Sequence, residues 1–144
     1  MATINIYLTF NGNCETAFEF YRSVFGNAFL IFSRFGEMPP QEGIITPEED
    51  AHKIMHVSLP VGKGTVLMGS DTSGEWVQGF KQGNNFSISV DTDSTEEADR
   101  IFSALSVNGM ITMPMAKTFW GAYFGMLTDQ FGINWMFNLE KPKP

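Results

Sequence analysis

His56 is the histidine best placed for chemistry, because it falls on a strand side that faces away from the expected core. Imidazole is the side chain most often used as a general base, so His56 is the natural candidate for that role. A lone histidine otherwise serves as a hydrogen-bonded structural residue, and base chemistry also requires an orienting partner and a substrate within reach. Tyr7 is the second candidate, as a hydrogen-bond donor to an oxyanion. Tyr123 alternates onto the opposite, helix side, and His52 sits in an acidic loop facing solvent. No Ser-His-Asp or Cys-His grouping follows from the spacing, and no close carboxylate pair is expected near His56, which disfavours hydrolase-type acid–base work. Cys14, the single cysteine, excludes an internal disulfide and a multi-cysteine metal site; it reads as a small buried or half-exposed filler. "VGKGT" (61–65) lies in a hairpin turn and lacks the spacing of a phosphate-binding loop. Glu48-Glu49-Asp50 reads as a solvated loop or helix start without the alternating ligands and central glycine of a calcium loop.

These residues are positioned by a pattern that occurs twice. Ile4, Ile6, Leu8 and Phe10 alternate with Asn5, Tyr7 and Thr9, as in a half-buried strand. Ala17, Phe20, Tyr21 and Val24 then follow helical spacing, and Gly26 ends that helix. From Asn85 the pattern returns: Phe86, Ile88 and Val90 alternate with Asn85, Ser87 and Ser89, and Ala98, Ile101, Phe102 and Leu105 repeat the helix, closed by Gly109. "IMHVSLPVGKGTVLMGS" (54–70) also lies over "AYFGMLTDQFGINWMFN" (122–138), with Gly64 on Gly132 and Met68 on Met136. The chain therefore reads as α+β, with two βαβββ modules: 1–70, a linker 71–84, and 85–144. The stretch 36–53 is a long loop in the first module.

In such a module the helix covers one side of the sheet, and the other side lines a cup. Helix-side residues are Ile4, Ile6 and Leu8; Met55, Val57 and Leu59; Leu67; and Ile133, Trp135 and Phe137. The cup side then holds Asn5, Tyr7 and Thr9; Ile54, His56 and Ser58; Val66, Met68 and Ser70; Asn85, Ser87 and Ser89; and Asn134, Met136 and Asn138. Such a polar, uncharged lining suits a small neutral or amphipathic ligand; Asn5, Tyr7, His56, Met68, Asn85, Ser87 and Met136 are the candidate contacts. Seven aromatic residues lie between Thr118 and Asn138, and Trp135 and Phe137 among them read as core.

With 144 residues, 43% hydrophobic and 17% charged, the chain is expected to form one cytoplasmic structural unit without a membrane span. The net charge of −7 and nine scattered basic residues argue against nucleic acid as a partner.

The segments "YLTFNGNCETAFEFYRSVFG" and "FWGAYFGMLTDQFGINWMFN" resemble the vicinal oxygen chelate superfamily, which includes glyoxalase I, extradiol dioxygenases and bleomycin-resistance proteins. The likeness spans essentially the whole chain and is strongest to the PhnB-like, or 3-demethylubiquinone-9 3-methyltransferase-like, branch. It implies cupped mixed sheets with helices outside, and a homodimer, often with modules paired across chains. It also implies a divalent metal held at positions that fall near Asn5, Met68, Asn85 and Met136. Amides and thioethers there predict no divalent metal and no cofactor, and with them no metal-dependent glyoxalase or dioxygenase activity. Two readings follow: a binding or sequestering protein, and an enzyme with a repositioned metal or metal-free acid–base chemistry. A third is an interaction module whose cup is closed by its dimer partner.

Overall fold

In the computed structural model, which describes residues 1–39 and 46–140, the chain divides into two compact units, Met1–Lys81 and Gln82–Pro144. The first contains β1 (Ile6–Phe10), α1 (Cys14–Phe25), β2 (Ile31–Arg34), β3 (Ile54–Gly62) and β4 (Thr65–Asp71). The second contains β5 (Ile88–Val90), α2 (Thr95–Leu105), β6 (Met110–Lys117), β7 (Ala122–Thr128) and β8 (Asn134–Glu140). Their sheets run β1-β4-β3-β2 and β5-β8-β7-β6. In each, the first strand is parallel to the last and the other pairings are antiparallel. This is βαβββ twice, an α+β architecture. The division falls inside 71–84, where Gly74–Gly79 forms a 3-10 turn.

The duplication extends to register. Leu59 faces Leu67 in the first hairpin, and Leu127 faces Trp135 in the second, a shift of 68 on both strands. Glycines with positive φ, Gly64 (74°) and Gly132 (85°), turn both hairpins. Ile6 pairs with Leu67 and Ile88 with Trp135, so the first strands are offset by 82. The helices are offset by 81, from Ala17 to Ala98. The second module is therefore one residue shorter between strand and helix. By this register the counterpart of Asn5 is Ser87, and that of Tyr7 is Ser89.

One side of each sheet is buried against its helix. Leu8, Val57, Leu59 and Leu67 are buried in the first module, and Leu127, Trp135, Phe137 and Leu139 in the second. The two cores fill the same space differently. In the first, Phe18 of α1 occupies the room above Gly69, where an added Cβ would come within 2.6 Å of its ring. In the second, Asp99 takes Phe18's helix position and Phe137 takes Gly69's strand position, with Phe137 edge-on to Phe102 at 5.4 Å. The large ring has moved from helix to strand. Tyr123 lies on the helix side, as its alternation predicts, donating to Asp99 Oδ1 at 2.6 Å. That bond, with some burial, raises the phenol's pKa.

The helix starts differ as well. Ser94 caps α2 by accepting the Glu97 N–H at 3.1 Å. Asn13 makes no side-chain cap for α1. Instead the buried Asp71, at the end of β4, accepts from the Gly12, Cys14 and Ile54 N–H groups, each at 2.9 Å. One carboxylate thus joins the β1–α1 loop, the helix start and β3. Cys14 is buried, and burial, then the nearby Asp71 charge, pushes its thiol pKa far up, which fits a filler and not a nucleophile.

Several placements depart from strict alternation. Ile54 is fully buried with Val57 and Leu59, not on the open side, because the β2–β3 register slips between Ser33 and Arg34 and leaves Met55 without a cross-strand partner. Ile4 and Phe86 are exposed and precede their strands. Asp50 is buried in a 3-10 turn, paired with Lys53 at 2.9 Å and accepting from Ser73 at 3.0 Å, so that part of the acidic run is structural. At the end of α2 the left-handed residue is Asn108 (φ 58°), while Gly109 lets the chain pass close to the Thr128 carbonyl. Residues 40–45 of the 36–53 loop lie outside the described residues.

Candidate functional site

The side of the first sheet away from α1 is built as rows across four strands. Thr9 pairs with Ser70, and Ser33 with His56. Extending the β3–β4 register by one residue sets His56 against Ser70. Thr9, Ser70, His56 and Ser33 therefore form one neutral polar row, with cross-strand neighbours about 5 Å apart. The next row is Tyr7, Met68, Ser58 and Ile31.

Tyr7 stacks on His56, with ring centroids 5.7 Å apart and planes inclined by 22°. The Tyr7 hydroxyl is 3.5 Å from His56 Nδ1, the outer limit of hydrogen bonding. Tyr7 is 48% exposed and His56 is half-buried, so a ligand can reach the pair. Alternation identified Tyr7, His56, Met68 and Ser70. It did not identify Ser33, whose strand is short and bulged, although the alternation in "IFSR" carries the signal.

The remaining candidates are arranged differently. Asn5 precedes β1, and its Oδ1 accepts the Val66 N–H at 3.1 Å, so its amide extends the β1–β4 pairing. Asn85 and Ser87 are exposed ahead of β5. Met136 pairs with Ser89 on one side and Met126 on the other, and Met126 pairs with Met113. Thus the row equivalent to Tyr7–Met68–Ser58–Ile31 is Ser89–Met136–Met126–Met113. His56 and Ser70 correspond to Phe124 and Asn138, which pair in the second sheet. Met113 is hidden by the two register shifts of β6, whereas Met126 is legible in the regular alternation of β7, on the side opposite Tyr123.

At the inferred metal positions the donors are an amide already engaged by Val66, a second amide outside its strand, and two thioethers. This set does not suit a hard or borderline divalent ion. Among the described residues no group of three or more His, Cys, Asp or Glu side chains is placed to hold one. No helix among them is long and apolar enough to cross a membrane.

Charged groups near the first sheet are tied up in structural contacts. Arg34 holds Glu15 through two bonds, at 2.8 and 2.9 Å, donates to the His52 carbonyl at 2.7 Å, and lies over the Phe32 ring. That bidentate pairing lowers the Glu15 pKa below its ordinary value. A groove at the outer end of α1, lined by Glu19, Arg22, Ser23, Gly26, Asn27 and Ala28, is remote from the Tyr7–His56 face because it lies on the helix.

The comparisons agree with this architecture. Residues 2–137 match the family model described as 3-demethylubiquinone-9 3-methyltransferase. The chain is 32% identical to Protein YjdN of Escherichia coli (strain K12), over 96% of this chain and 95% of that protein. The crystal structure of protein PA1353 from Pseudomonas aeruginosa is similar at 39% identity and a TM-score of 0.81, covering 97% of this chain and 98% of that one. A putative 3-demethylubiquinone-9 3-methyltransferase, PhnB protein, from Bacillus cereus is similar at 26% identity and a TM-score of 0.72, over 96% and 99% of the two chains. The duplicated βαβββ architecture is that of the glyoxalase/bleomycin-resistance fold. The match across both modules and these near full-length relatives establish that the chain belongs to the 3-demethylubiquinone-9 3-methyltransferase family, in the PhnB-like branch of the vicinal oxygen chelate superfamily.

Proposed function

We propose that the protein binds a small neutral or amphipathic molecule on its open sheet faces, without the divalent metal its superfamily commonly uses. The neutral row Thr9–Ser70–His56–Ser33, flanked by the stacked Tyr7, carries this reading. Hydroxyls, an imidazole and an aromatic ring offer directed hydrogen bonds and a stacking surface without fixed charge. Met68 and Asn5 border this row in the first module; in the second module, taken by itself, the proposed contacts are Asn85, Ser87 and Met136. The reading includes a homodimer, supported by exposed apolar side chains at Met110, Ile111, Phe119 and Trp120. It also includes a cytoplasmic location, supported by a lone, buried cysteine.

The test is a screen of neutral amphipathic compounds against the full chain, mapped by amide and side-chain chemical shifts. The expected result is one set of shifts centred on Tyr7, His56 and Ser70, retained in His56→Gln. Shifts confined to the outer groove of α1 would refute the assignment. Sedimentation tests the dimer, which a monomer of 16.1 kDa would contradict.

The Tyr7–His56 contact favours one second reading, metal-free acid–base catalysis. If Nδ1 carries the proton and donates to the Tyr7 oxygen, Nε2 is a free base; if Tyr7 donates to Nδ1, Nε2–H is a donor. Under this reading His56→Gln abolishes turnover, whereas under the binding reading it leaves affinity largely intact.

A further inference from the structure

We propose that the open face of the second module carries a site for a soft monovalent cation, Cu(I), built from Met113, Met126 and Met136. The three occupy directly opposed positions on β6, β7 and β8. Directly opposed side chains on neighbouring strands have Cβ atoms about 4.5–5.5 Å apart, and three unbranched thioethers at that spacing can converge on one ion. The two register shifts of β6 keep Met113 aligned with Met126. Between those residues and Ala116, Met115 turns to the helix side and packs against Gly125.

Donor type selects the ion. Thioethers are soft neutral ligands that favour Cu(I) over hard or borderline divalent ions. The neighbouring open-face residues Ser89, Phe124, Thr128, Asn134 and Asn138 carry no carboxylate or imidazole; Asp91, the counterpart of Thr9, is exposed past the end of β5 beside Asn138, and one carboxylate is too few to hold a divalent ion. Ordinary core packing does not account for the row: Met113 is 47% exposed, and Met126 and Met136 are half-buried. The equivalent row of the first module has Met68 as its one thioether, so this donor set belongs to the second module alone. The net charge of −7 further favours a cation over an anion.

The test is anaerobic titration of the full chain with Cu(I) against the chromophoric chelator bicinchoninate, in the unsubstituted protein and in Cys14→Ala. We expect one equivalent bound in both, because Cys14 is buried. Met126→Leu, which keeps side-chain volume, should weaken binding roughly tenfold or more by removing one of three donors. Met55→Leu in the first module should not change it. Methionine-methyl spectra of the unsubstituted chain with Ag(I) need no variant, and should show Met113, Met126 and Met136 moving together. Failure to compete with the chelator, loss of binding in Cys14→Ala but not Met126→Leu, or shifts spread over all nine methionines would overturn the site. Failure here leaves the Tyr7–His56 assignment standing, since that is read from shifts in the first module.

Discussion

The two modules share a register and differ in almost everything their open faces display. At matching positions the first has Ser70, His56 and Ser33 where the second has Asn138, Phe124 and Ala116. The first has Met68, Ser58 and Ile31 where the second has Met136, Met126 and Met113. Backbone pairing tolerates this because side chains pointing away from the helix, apart from the buried Ser58 and Ala122, lie outside the core. The helix-facing sides differ in where the large ring sits: Phe18 of the helix lies over Gly69 in the first module, and Phe137 of the strand lies beside Phe102 in the second. The two modules thus share a frame, fill the space over the sheet with a ring from different elements, and present different open faces.

The buried aspartates give the largest expected effects. Asp71→Ala removes the acceptor of three backbone N–H groups, two of them buried. It should cost on the order of 3 kcal/mol or more, given about 1.5–3 kcal/mol per hydrogen bond to a charged group. Denaturant melts should place that loss in the first module, with its amides exchanging faster while α2, capped by Ser94, remains protected. In the second module, Asp129 accepts from the Phe131 and Ile133 N–H groups and from Trp135 Nε1, so Asp129→Ala should produce the reverse pattern. Equal exchange in both modules for either variant would break the picture of two separately braced units.

Gly69→Ala comes next. Its methyl would meet the Phe18 ring at 2.6 Å and the Leu8 carbonyl at 2.8 Å, and should cost about 1–3 kcal/mol through overpacking. Adding Phe18→Ala should relieve part of that cost, giving a non-additive double-mutant cycle. Additivity would show that the ring does not occupy Gly69's space.

Acid should act more weakly, and chiefly on the first module. Lys53, Ser73 and the Gly74 N–H lower the Asp50 pKa, and Arg34 lowers that of Glu15. Both carboxyls bind protons more readily unfolded, so their stabilisation is complete above the ordinary carboxylate range. It is lost as pH falls below about 4, through their folded-state values. Thermal melts between about pH 6 and pH 3 should drop in that interval, and less in Asp50→Asn. The Glu15 part should be small because that pair is partly exposed and screened.

Much of this frame was readable from residue patterns. The hairpin repeat, both helices and the burial of Trp135 and Phe137 followed from period-2 and helical spacing, because those elements are regular and one-sided. The bulges were not legible: a register slip at Met55, or two on β6, reverses which residues share a side without leaving a composition signal. The strand offset was also hidden: β5 starts later than the alternation from Asn85 suggests, so the register pairs Asn5 with Ser87, two residues beyond Asn85. The Tyr7–His56 contact joins residues 49 apart, and it takes both the parallel pairing of β1 with β4 and the antiparallel pairing of β4 with β3 to bring them together.

The central claim is that the open faces present uncharged donors that do not serve divalent-metal chemistry. Metal analysis of the purified protein, with melting temperatures recorded in Zn²⁺, Ni²⁺, Mn²⁺ and Fe²⁺, tests it most directly, because an ion that binds only the native state must raise the melting temperature. The account predicts no stoichiometric divalent ion and unchanged melting in all four. A rise of several degrees with any one of them, lost on substituting Asn5, Met68, Asn85 or Met136, would contradict it.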